Sequence, residues 1–174
     1  MKEFKAAANE LENKVILVTG AGDGIGRQAA LTFAEHGATV ILLGKTTQKL
    51  EKVYDEIVNQ GWPEPAIVPL DLQGATKRHY QDMASTIESE FGRLDGLLHN
   101  AGHLGVLSPF EHINLDDWQL VMQVNLTAAF LMTQALMPVL AKSPHGSLVF
   151  TSSGVGRKGR AYWGPYSVSK FGTE

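Results

Sequence analysis

Short apolar runs alternate along this chain with longer stretches in which apolar residues recur at helical spacing. The short runs are typical of buried strands, and the longer stretches are typical of amphipathic helices. This alternation predicts strands at 15–18, 38–43, 66–70, 94–99 and 147–151. It also predicts helices at 24–36, 46–60, 75–91 and 115–141, the last with Asn114 as its N-cap, and a final helix that starts near Gly164.

The predicted strands are continuously apolar and are separated by helices. Such strands form parallel sheets that helices cover on both faces, and right-handed crossovers then give a doubly wound sheet. We therefore predict an α/β, Rossmann-like single domain at 14–174, preceded by an N-terminal extension at 1–13. Pro69 interrupts the third strand and suits an edge position, because proline cannot donate to the ladder.

Composition narrows the partners and the chemistry. Apolar residues make up 44% of the chain and charged residues 19%, as in an ordinary soluble protein. The formal net charge is -3 and the basic residues form no patch, so nucleic acid is not expected as a partner. There is no cysteine, and the six histidines lack metal-ligand spacing, so we predict no metal site. The N-terminus is too polar for a signal peptide and no apolar run is long enough to span a membrane, so we expect a cytoplasmic protein.

A glycine-rich segment, TGAGDGIG at 19–26, joins the first predicted strand to the first predicted helix. Glycines at such a junction let the chain turn tightly and bring backbone N–H groups against a pyrophosphate at the helix N-terminus. The alternative is a plain strand-to-helix turn, but the strand–turn–helix context favours a nucleotide site. The predicted cofactor-binding residues here are Gly20, Gly22, Asp23, Gly24, Ile25 and Gly26.

The end of the second strand bears on the choice of cofactor. Sites selective for NAD usually place Asp or Glu there to bind the ribose hydroxyls, whereas this chain has Gly44, Lys45 and Thr46. A cation without a neighbouring carboxylate attracts a 2′-phosphate, which predicts NADP rather than NAD. A solvated loop lysine is the alternative interpretation of Lys45.

Polar and small residues follow two further strands. Asp71 and Leu72 come after the third strand, and Asn100, Ala101 and Gly102 come after the fourth. Ligands bind at the carboxyl ends of strands in open α/β sheets, so these residues are predicted to complete the cofactor site, with Asp71 accepting a hydrogen bond from an adenine amino group. Asp, Asn and Gly are also common in turns, which leaves a purely structural role open.

Tyr166 and Lys170 are four residues apart and therefore lie on one face of the last predicted helix. A fixed ammonium favours the phenolate and can lower the pKa of the tyrosine. Such a phenol can exchange a proton with a substrate hydroxyl or carbonyl near neutral pH. The spacing alone arises by chance in many chains, so its meaning depends on the motifs that precede it.

Several motifs occur in one order: TGAGDGIG, HNAG at 99–102, Asn125 within QVNL, Ser153, and YSVSK at 166–170. Ser153 precedes Tyr166 by thirteen residues within a Ser-x-x-Gly segment. Together these motifs resemble the short-chain dehydrogenase/reductase family over essentially the whole chain. The segments ATVILLGK, LDGLLHNAG, VMQVNL and GSLVFTSS are similar to one bacterial subgroup of that family.

The resemblance implies a catalytic tetrad. Tyr166 would be the general acid/base, and Ser153 would hydrogen-bond the substrate oxygen and polarise the carbonyl. Lys170 would bind the nicotinamide ribose and lower the pKa of Tyr166, and Asn125 would hold a water that links Lys170 to solvent. Tyr166 and Lys170 would thus also belong to the cofactor site. Alternatively, Ser153 is a loop serine with Ser152 as its neighbour in register, and Asn125 is an asparagine that bends the long helix.

The implied reaction is hydride transfer between C4 of the nicotinamide and the carbonyl or alcohol carbon of a small-molecule substrate. A non-catalytic dinucleotide-binding protein is the main alternative. An epimerase or dehydratase on the same scaffold is a third, less favoured because its relatives more often begin with another glycine spacing.

Members of the family continue beyond the Tyr166 helix with further strands and a substrate-covering loop. The resemblance therefore implies a domain without its last strands, with an exposed apolar edge at the fifth strand and an incomplete substrate pocket. Family members associate partly through the long helix, which implies a possible homo-oligomer through 115–141.

Overall fold

A parallel sheet of five strands organises residues 6–174, which are the residues that this computed structural model describes. The strands are adjacent in the order β3-β2-β1-β4-β5, and each neighbouring pair is parallel. Their bounds are Val15–Thr19 (β1), Thr39–Gly44 (β2), Ala66–Pro69 (β3), Gly96–His99 (β4) and Ser147–Phe150 (β5). The order reverses at β1, as a doubly wound sheet requires, so the predicted fold class is confirmed.

Helices connect successive strands. They are Gly24–Glu35 (α1), Thr47–Asn59 (α2), Lys77–Phe91 (α3), Leu115–Met122 (α4), Ala128–Leu140 (α5) and Gly164–Thr173 (α6). Short 3₁₀ turns lie at Phe110–His112 and Gly154–Gly156. The predicted strands and helices are present with bounds that differ by one or two residues, as helix and strand ends commonly do, except that the helix predicted at 115–141 is divided.

Alternating side chains of the strands divide the core into two layers. Leu17 of β1 points to the side of α3 and α5 and is fully buried there with Tyr80 and Met132. Val18, its neighbour, is fully buried on the opposite side against α1 and α2. This two-sided burial explains why the strands are continuously apolar in sequence.

The predicted long helix 115–141 is interrupted. Asn114 caps its start by accepting a hydrogen bond from the backbone N–H of Asp117 at 2.7 Å, as expected. Residues Gln123–Thr127 then form a π-helical segment between α4 and α5, with Asn125 buried inside it. A π segment widens one turn of a helix and is frequently found at functional sites, so the prediction of one regular helix was wrong at this point.

The stretch Leu115–Leu140 is also long and apolar enough to cross a membrane, judged by length and composition alone. Its inner face packs on the sheet and on α3, with Met132 and Leu136 fully buried. The expectation that no apolar run is long enough to span a membrane was therefore wrong for this stretch. One such helix is weak evidence for a span, because the core helix of a soluble protein passes the same test.

The two edges of the sheet differ. Pro69 ends β3 at one edge, as predicted. At the other edge β5 pairs only with β4 within the described part of the chain, and Val149 and Phe150 are 51% and 39% exposed. The expected exposed apolar edge is therefore present.

Part of the predicted N-terminal extension is described. Residues 6–13 contain turns that contact the end of α1, where the backbone N–H of Leu11 donates to the carbonyl of His36 at 3.0 Å. The remainder of the extension, at 1–5, lies outside the described residues.

Candidate active site

The glycine-rich turn packs so closely that side chains are excluded from it. Gly20 has φ +67°, a conformation that favours glycine, and a Cβ there would lie 3.1 Å from the Cα of Ala101. A Cβ on Gly26 would overlap the carbonyl oxygen of Gly20 and lie 2.5 Å from Nδ2 of Asn100. Asp23 caps α1 by accepting a hydrogen bond from the N–H of Gly24 at 2.8 Å. The turn therefore opens α1 with its backbone close to the cavity beside it.

Thr19 ties this turn to the Asn100–Gly102 segment. Its Oγ1 accepts hydrogen bonds from the backbone N–H groups of Asn100 and Ala101, both at 2.9 Å. Nδ2 of Asn100 donates to the carbonyl of Thr19 at 3.2 Å. The carboxyl ends of β1 and β4 are thus held together by a threonine that sequence reasoning did not single out.

A cavity of about 420 Å³ lies along the carboxyl ends of β1, β2, β3 and β4. Among the predicted cofactor-binding residues, those that line it are Gly20, Gly22, Asp23, Gly24, Lys45, Asp71, Leu72, Asn100, Ala101 and Gly102. Asp71 also closes a turn, since its Oδ1 accepts from the N–H of Gln73 at 3.0 Å. The structure therefore brings residues from four separate segments to one cavity at the predicted edge of the sheet.

Four predicted cofactor-binding residues are not on the lining of this cavity: Ile25, Gly26, Tyr166 and Lys170. Ile25 is 69% exposed at the start of α1, and Gly26 is buried where α1 packs on the turn. The close packing of α1 on the turn is the physical reason that position 26 is a glycine. Ile25 lies one residue past the turn, so its side chain faces away from the lining that its neighbours form.

Lys49 lines the same cavity and was missed by sequence reasoning. Its Nζ lies 2.6 Å from Oδ2 of Asp23 and forms an ion pair with it. This contact holds the pKa of the Asp23 carboxyl below its usual range, with the hydrogen bond from Gly24 as a further cause. A cation in the first turn of α2 is unfavourable for the helix dipole, which is the sequence signal that marks Lys49.

Asn125 is 6% exposed and its side chain is committed to hydrogen bonds. Oδ1 accepts from the backbone N–H of His103 at 2.7 Å, and Nδ2 donates to the carbonyl of His103 at 3.0 Å. Nδ2 also donates to Oγ of Ser169 at 2.9 Å. The asparagine therefore fixes the segment after Gly102 against α6, with both N–H groups of its amide and one lone pair of Oδ1 in use.

Lys170 is 5% exposed and reaches back toward the sheet. Its Nζ donates to the carbonyl oxygen of Thr151 at 2.6 Å and lies 5.6 Å from the centroid of the Tyr166 ring. Burial lowers the pKa of Lys170. Tyr166 is half-buried, with its ring 6.0 Å from that of Trp163. The predicted Tyr-x-x-x-Lys pair is thus placed on one face of α6, near the end of β5.

Ser153 stands at the end of the same strand. It is half-buried and caps the 3₁₀ turn Gly154–Gly156, where its Oγ lies 3.5 Å from the N–H of Val155. This turn packs on α6, because a Cβ on Gly156 would lie 2.9 Å from the backbone of Lys170. Ser152 lies next to it, and its buried hydroxyl is close enough to the Glu174 carboxyl to lower the pKa of that carboxyl. The weak cap contact leaves the Ser153 hydroxyl free to turn toward another acceptor.

Two of the predicted catalytic residues, Asn125 and Lys170, lie beside the large cavity at Gly102. A Cβ built there would lie 3.6 Å from Oδ1 of Asn125 and 4.0 Å from Nζ of Lys170. A small cavity of about 10 Å³ lies between Asn125, Thr151 and Lys170 and shares Leu72 and Ala101 with the large one. That volume is close to the space one water needs.

The family follows from comparison with known proteins. Residues 14–174 match the family model described as short chain dehydrogenase. The chain belongs to this family. It is 54% identical over 164 residues to the uncharacterized oxidoreductase YciK of Escherichia coli K12, covering 94% of this chain and 65% of that protein. The chain is thus similar to a bacterial protein of the family that its motifs resemble, and it spans slightly less than two thirds of this relative's length.

Solved structures of short chain dehydrogenases share the fold closely. One from Pseudomonas syringae is 50% identical with a TM-score of 0.97, covering 99% of this chain and 70% of that one. Another, from Shigella flexneri 2a and complexed with NADP, is 52% identical with a TM-score of 0.93, covering 96% of this chain and 70% of that one. This agreement confirms the resemblance on which the site residues were predicted.

Proposed function

We propose that this short chain dehydrogenase transfers a hydride between NADP(H) and a small-molecule carbonyl or secondary alcohol, with Tyr166 as general acid/base. The observation that carries the proposal is the position of Lys170. Its buried ammonium lies between the Tyr166 ring, the end of β5 and the Gly102 segment of the nucleotide cavity. Lys170 thus lies next to both the proposed proton-transfer residue, Tyr166, and the proposed dinucleotide site.

The residues that line the cavity fit a dinucleotide. At Gly22 a Cβ would lie 2.9 Å from Lys49, and at Gly20 3.1 Å from Ala101, so the turn presents bare backbone where a pyrophosphate would bind. Lys45 lies on the lining at the end of β2, where a 2′-phosphate would be read. The Shigella flexneri relative was solved with NADP, which supports the choice of NADP over NAD.

The chain's own residues would supply binding and the proton. A bound nicotinamide cofactor supplies or accepts the hydride. Tyr166 would donate a proton to the carbonyl oxygen in reduction and remove one from the hydroxyl in oxidation. Lys170 would hold the ribose, while Ser153 would hydrogen-bond the substrate oxygen.

The relay from Lys170 toward solvent would use the small cavity beside Asn125. Lys170, Thr151 and Asn125 all line that cavity, and Lys170 donates to the Thr151 carbonyl. Because burial lowers the pKa of Lys170, its proton is easier to pass on than that of an exposed lysine. Asn125 would then position the water through its backbone, since its side-chain amide is bonded to His103 and Ser169.

The test is oxidation of NADPH with a panel of ketones and quinones, followed by absorbance. Both this chain and a form extended to the length of its relatives are assayed, each as wild type and as Tyr166→Phe. We expect Tyr166→Phe to lower kcat by roughly 10²-fold or more while NADPH still binds.

Tyr162→Phe is the matched control, because Tyr162 is an exposed tyrosine in the same segment. It should leave turnover unchanged. Normal turnover of Tyr166→Phe in the extended form would contradict the acid/base role, and NADPH binding without turnover in both wild-type forms would favour a non-catalytic binding protein.

Association of two copies through 115–141 and a cytoplasmic location stay predictions. Leu115 and Phe130 are 66% and 61% exposed on the helices of this stretch, which is compatible with such an interface. Light scattering of the extended form and of its Phe130→Glu variant tests the association. If both proteins were monomers, the association would be contradicted.

A further inference from the structure

The rim of the nucleotide cavity contains an ion pair that any bound dinucleotide must meet. Asp23 lies in the glycine-rich turn and Lys49 in the first turn of α2, and both line the cavity. Their charged atoms are 2.6 Å apart, although the Asp23 side chain is 75% exposed and that of Lys49 is 53% exposed. Exposed ion pairs contribute little to stability, so this pair is not needed to hold α2 in place.

The positive charge of Lys49 is unfavourable for the dipole of α2, and the negative charge of Asp23 is unfavourable for an anionic ligand in the cavity. Lys49 lies in the first turn of α2, where the helix dipole favours an acid and where the cap residue Thr46 makes no side-chain cap hydrogen bond. Asp23 places a negative charge on a turn whose backbone faces a cavity that fits an anionic cofactor. Asp23 is nevertheless a favourable N-cap for α1, so Lys49 is the member that breaks a local preference, and such residues are concentrated at functional sites.

The stem of Lys49 is fixed against the turn. A Cβ on Gly22 would lie only 2.9 Å from the Cβ of Lys49, so the glycine-rich turn and α2 are packed together there. The base of the Lys49 side chain is therefore held in place, and only its outer part, which carries the ammonium, can move. Lys45, at the end of β2, lines the same cavity four residues earlier. Lys45, Lys49 and the positive N-terminal end of the α2 dipole thus face the region where a 2′-phosphate would lie.

We propose that Lys49 is a second cation for the 2′-phosphate of NADP, and that Asp23 is the counter-ion which Lys49 leaves when the phosphate binds. The proposal rests on the proposed NADP function. It adds Lys49 as a second residue, besides Lys45, that selects NADP over NAD. Before binding, Asp23 offsets the charge of Lys49 beside the helix terminus. After binding, the dianionic phosphate takes the ammonium, because a phosphate binds it more strongly than one exposed carboxylate does.

The experiment measures binding of 2′,5′-ADP and of 5′-AMP to the purified chain by calorimetry, since these probes differ only in the 2′-phosphate. Lys49→Met keeps the aliphatic stem and removes the charge. We expect it to weaken 2′,5′-ADP about tenfold, as loss of one charge-assisted hydrogen bond does, and to change 5′-AMP less than about twofold. Lys52→Met, an exposed lysine further along the same helix, should change neither.

Asp23→Asn tests the exchange. It keeps an oxygen that can accept from the N–H of Gly24 and removes the competing charge, so 2′,5′-ADP should bind several-fold more tightly, relative to 5′-AMP, than it does to wild type. That gain should vanish in the Asp23→Asn/Lys49→Met double variant, because the gain requires the freed lysine.

The outcomes separate this proposal from the function on which it rests. If wild type binds 2′,5′-ADP no more tightly than 5′-AMP, the NADP preference itself is wrong. If wild type prefers 2′,5′-ADP, Lys45→Met removes the preference and Lys49→Met does not, the NADP function stands and the role of Lys49 is wrong. An unchanged or weaker affinity in Asp23→Asn would overturn the counter-ion exchange.

Discussion

At the scale of single residues, the sequence indicates which side chains matter and not which atoms they use. Asn125 was identified through the resemblance, but its hydrogen bonds to the backbone of His103, 22 residues away, are a product of the tertiary fold. The Asp23–Lys49 pair likewise joins residues 26 apart in the chain. Such contacts depend on how α2 and the segment after Gly102 approach the site, and no local pattern encodes that approach.

His99 gives a prediction at this scale. It is 6% exposed, stacks on Phe150 with ring centroids 4.7 Å apart and bonds Thr133 through Nε2 at 2.8 Å. Burial lowers the pKa of His99 to about 4, whereas an unfolded chain takes up the proton near its ordinary pKa of about 6.5. The stabilisation is therefore complete above pH ~6.5 and is lost as pH falls toward ~4.

We expect the free energy of unfolding to fall by up to about 3 kcal/mol over that interval through His99, which corresponds to the difference between the two pKa values. Urea denaturation at several pH values measures this fall. His99→Gln should show a distinctly smaller one, because the contribution of the buried imidazole is removed. His145→Gln removes an exposed histidine and should behave as wild type; equal pH dependence in all three proteins would refute this account of His99.

At the scale of elements, the apolar pattern predicted every strand and helix type, because burial on both faces of a parallel sheet produces continuous apolar runs. It could not predict the π segment at Gln123–Thr127, since the apolar spacing of α4 and α5 continues across it. The buried amide of Asn125, bonded to His103 and Ser169, lies within that turn. The local apolar pattern therefore predicted the helices α4 and α5, whereas the π segment between them depended on the site around Asn125.

The junction of β1 and α1 gives the prediction at this scale. We expect Gly26→Ala to lower the free energy of unfolding by about 2–4 kcal/mol, because its Cβ would overlap the carbonyl oxygen of Gly20 in a fully packed turn. Dinucleotide binding should weaken in parallel, since α1 must move relative to the turn. Chemical denaturation and calorimetric titration with NADPH measure the two effects.

Gly74→Ala is the matched control for this substitution. No atom lies within 4 Å of a Cβ at Gly74, and its backbone is not in the left-handed region. The change should cost less than about 1 kcal/mol and leave binding unaltered. If Gly26→Ala were as stable as Gly74→Ala, the close packing of α1 on the turn would not be the reason for glycine there.

At the scale of the whole molecule, the order of the strands places the site. Because the order reverses at β1, the glycine-rich turn and the Asn100–Gly102 segment leave the sheet side by side. Lys45 and Asp71 follow at one side, and Ser153 and α6 at the other. The sequence predicted this arrangement through general rules of α/β topology, whereas the Lys49 contact at the rim required the structure.

The same topology leaves β5 at an edge with apolar side chains exposed, and unpaired edges of this kind favour association between chains. We expect the 174-residue chain to form larger species as its concentration rises, measured by dynamic light scattering. Val149→Lys puts a charge on the edge strand, where Val149 is 51% exposed, and should reduce this association without loss of stability. Val58→Lys changes the net charge equally on α2, where Val58 is 43% exposed. An equal reduction by both substitutions would mean that net charge, and not the edge of the sheet, controls association.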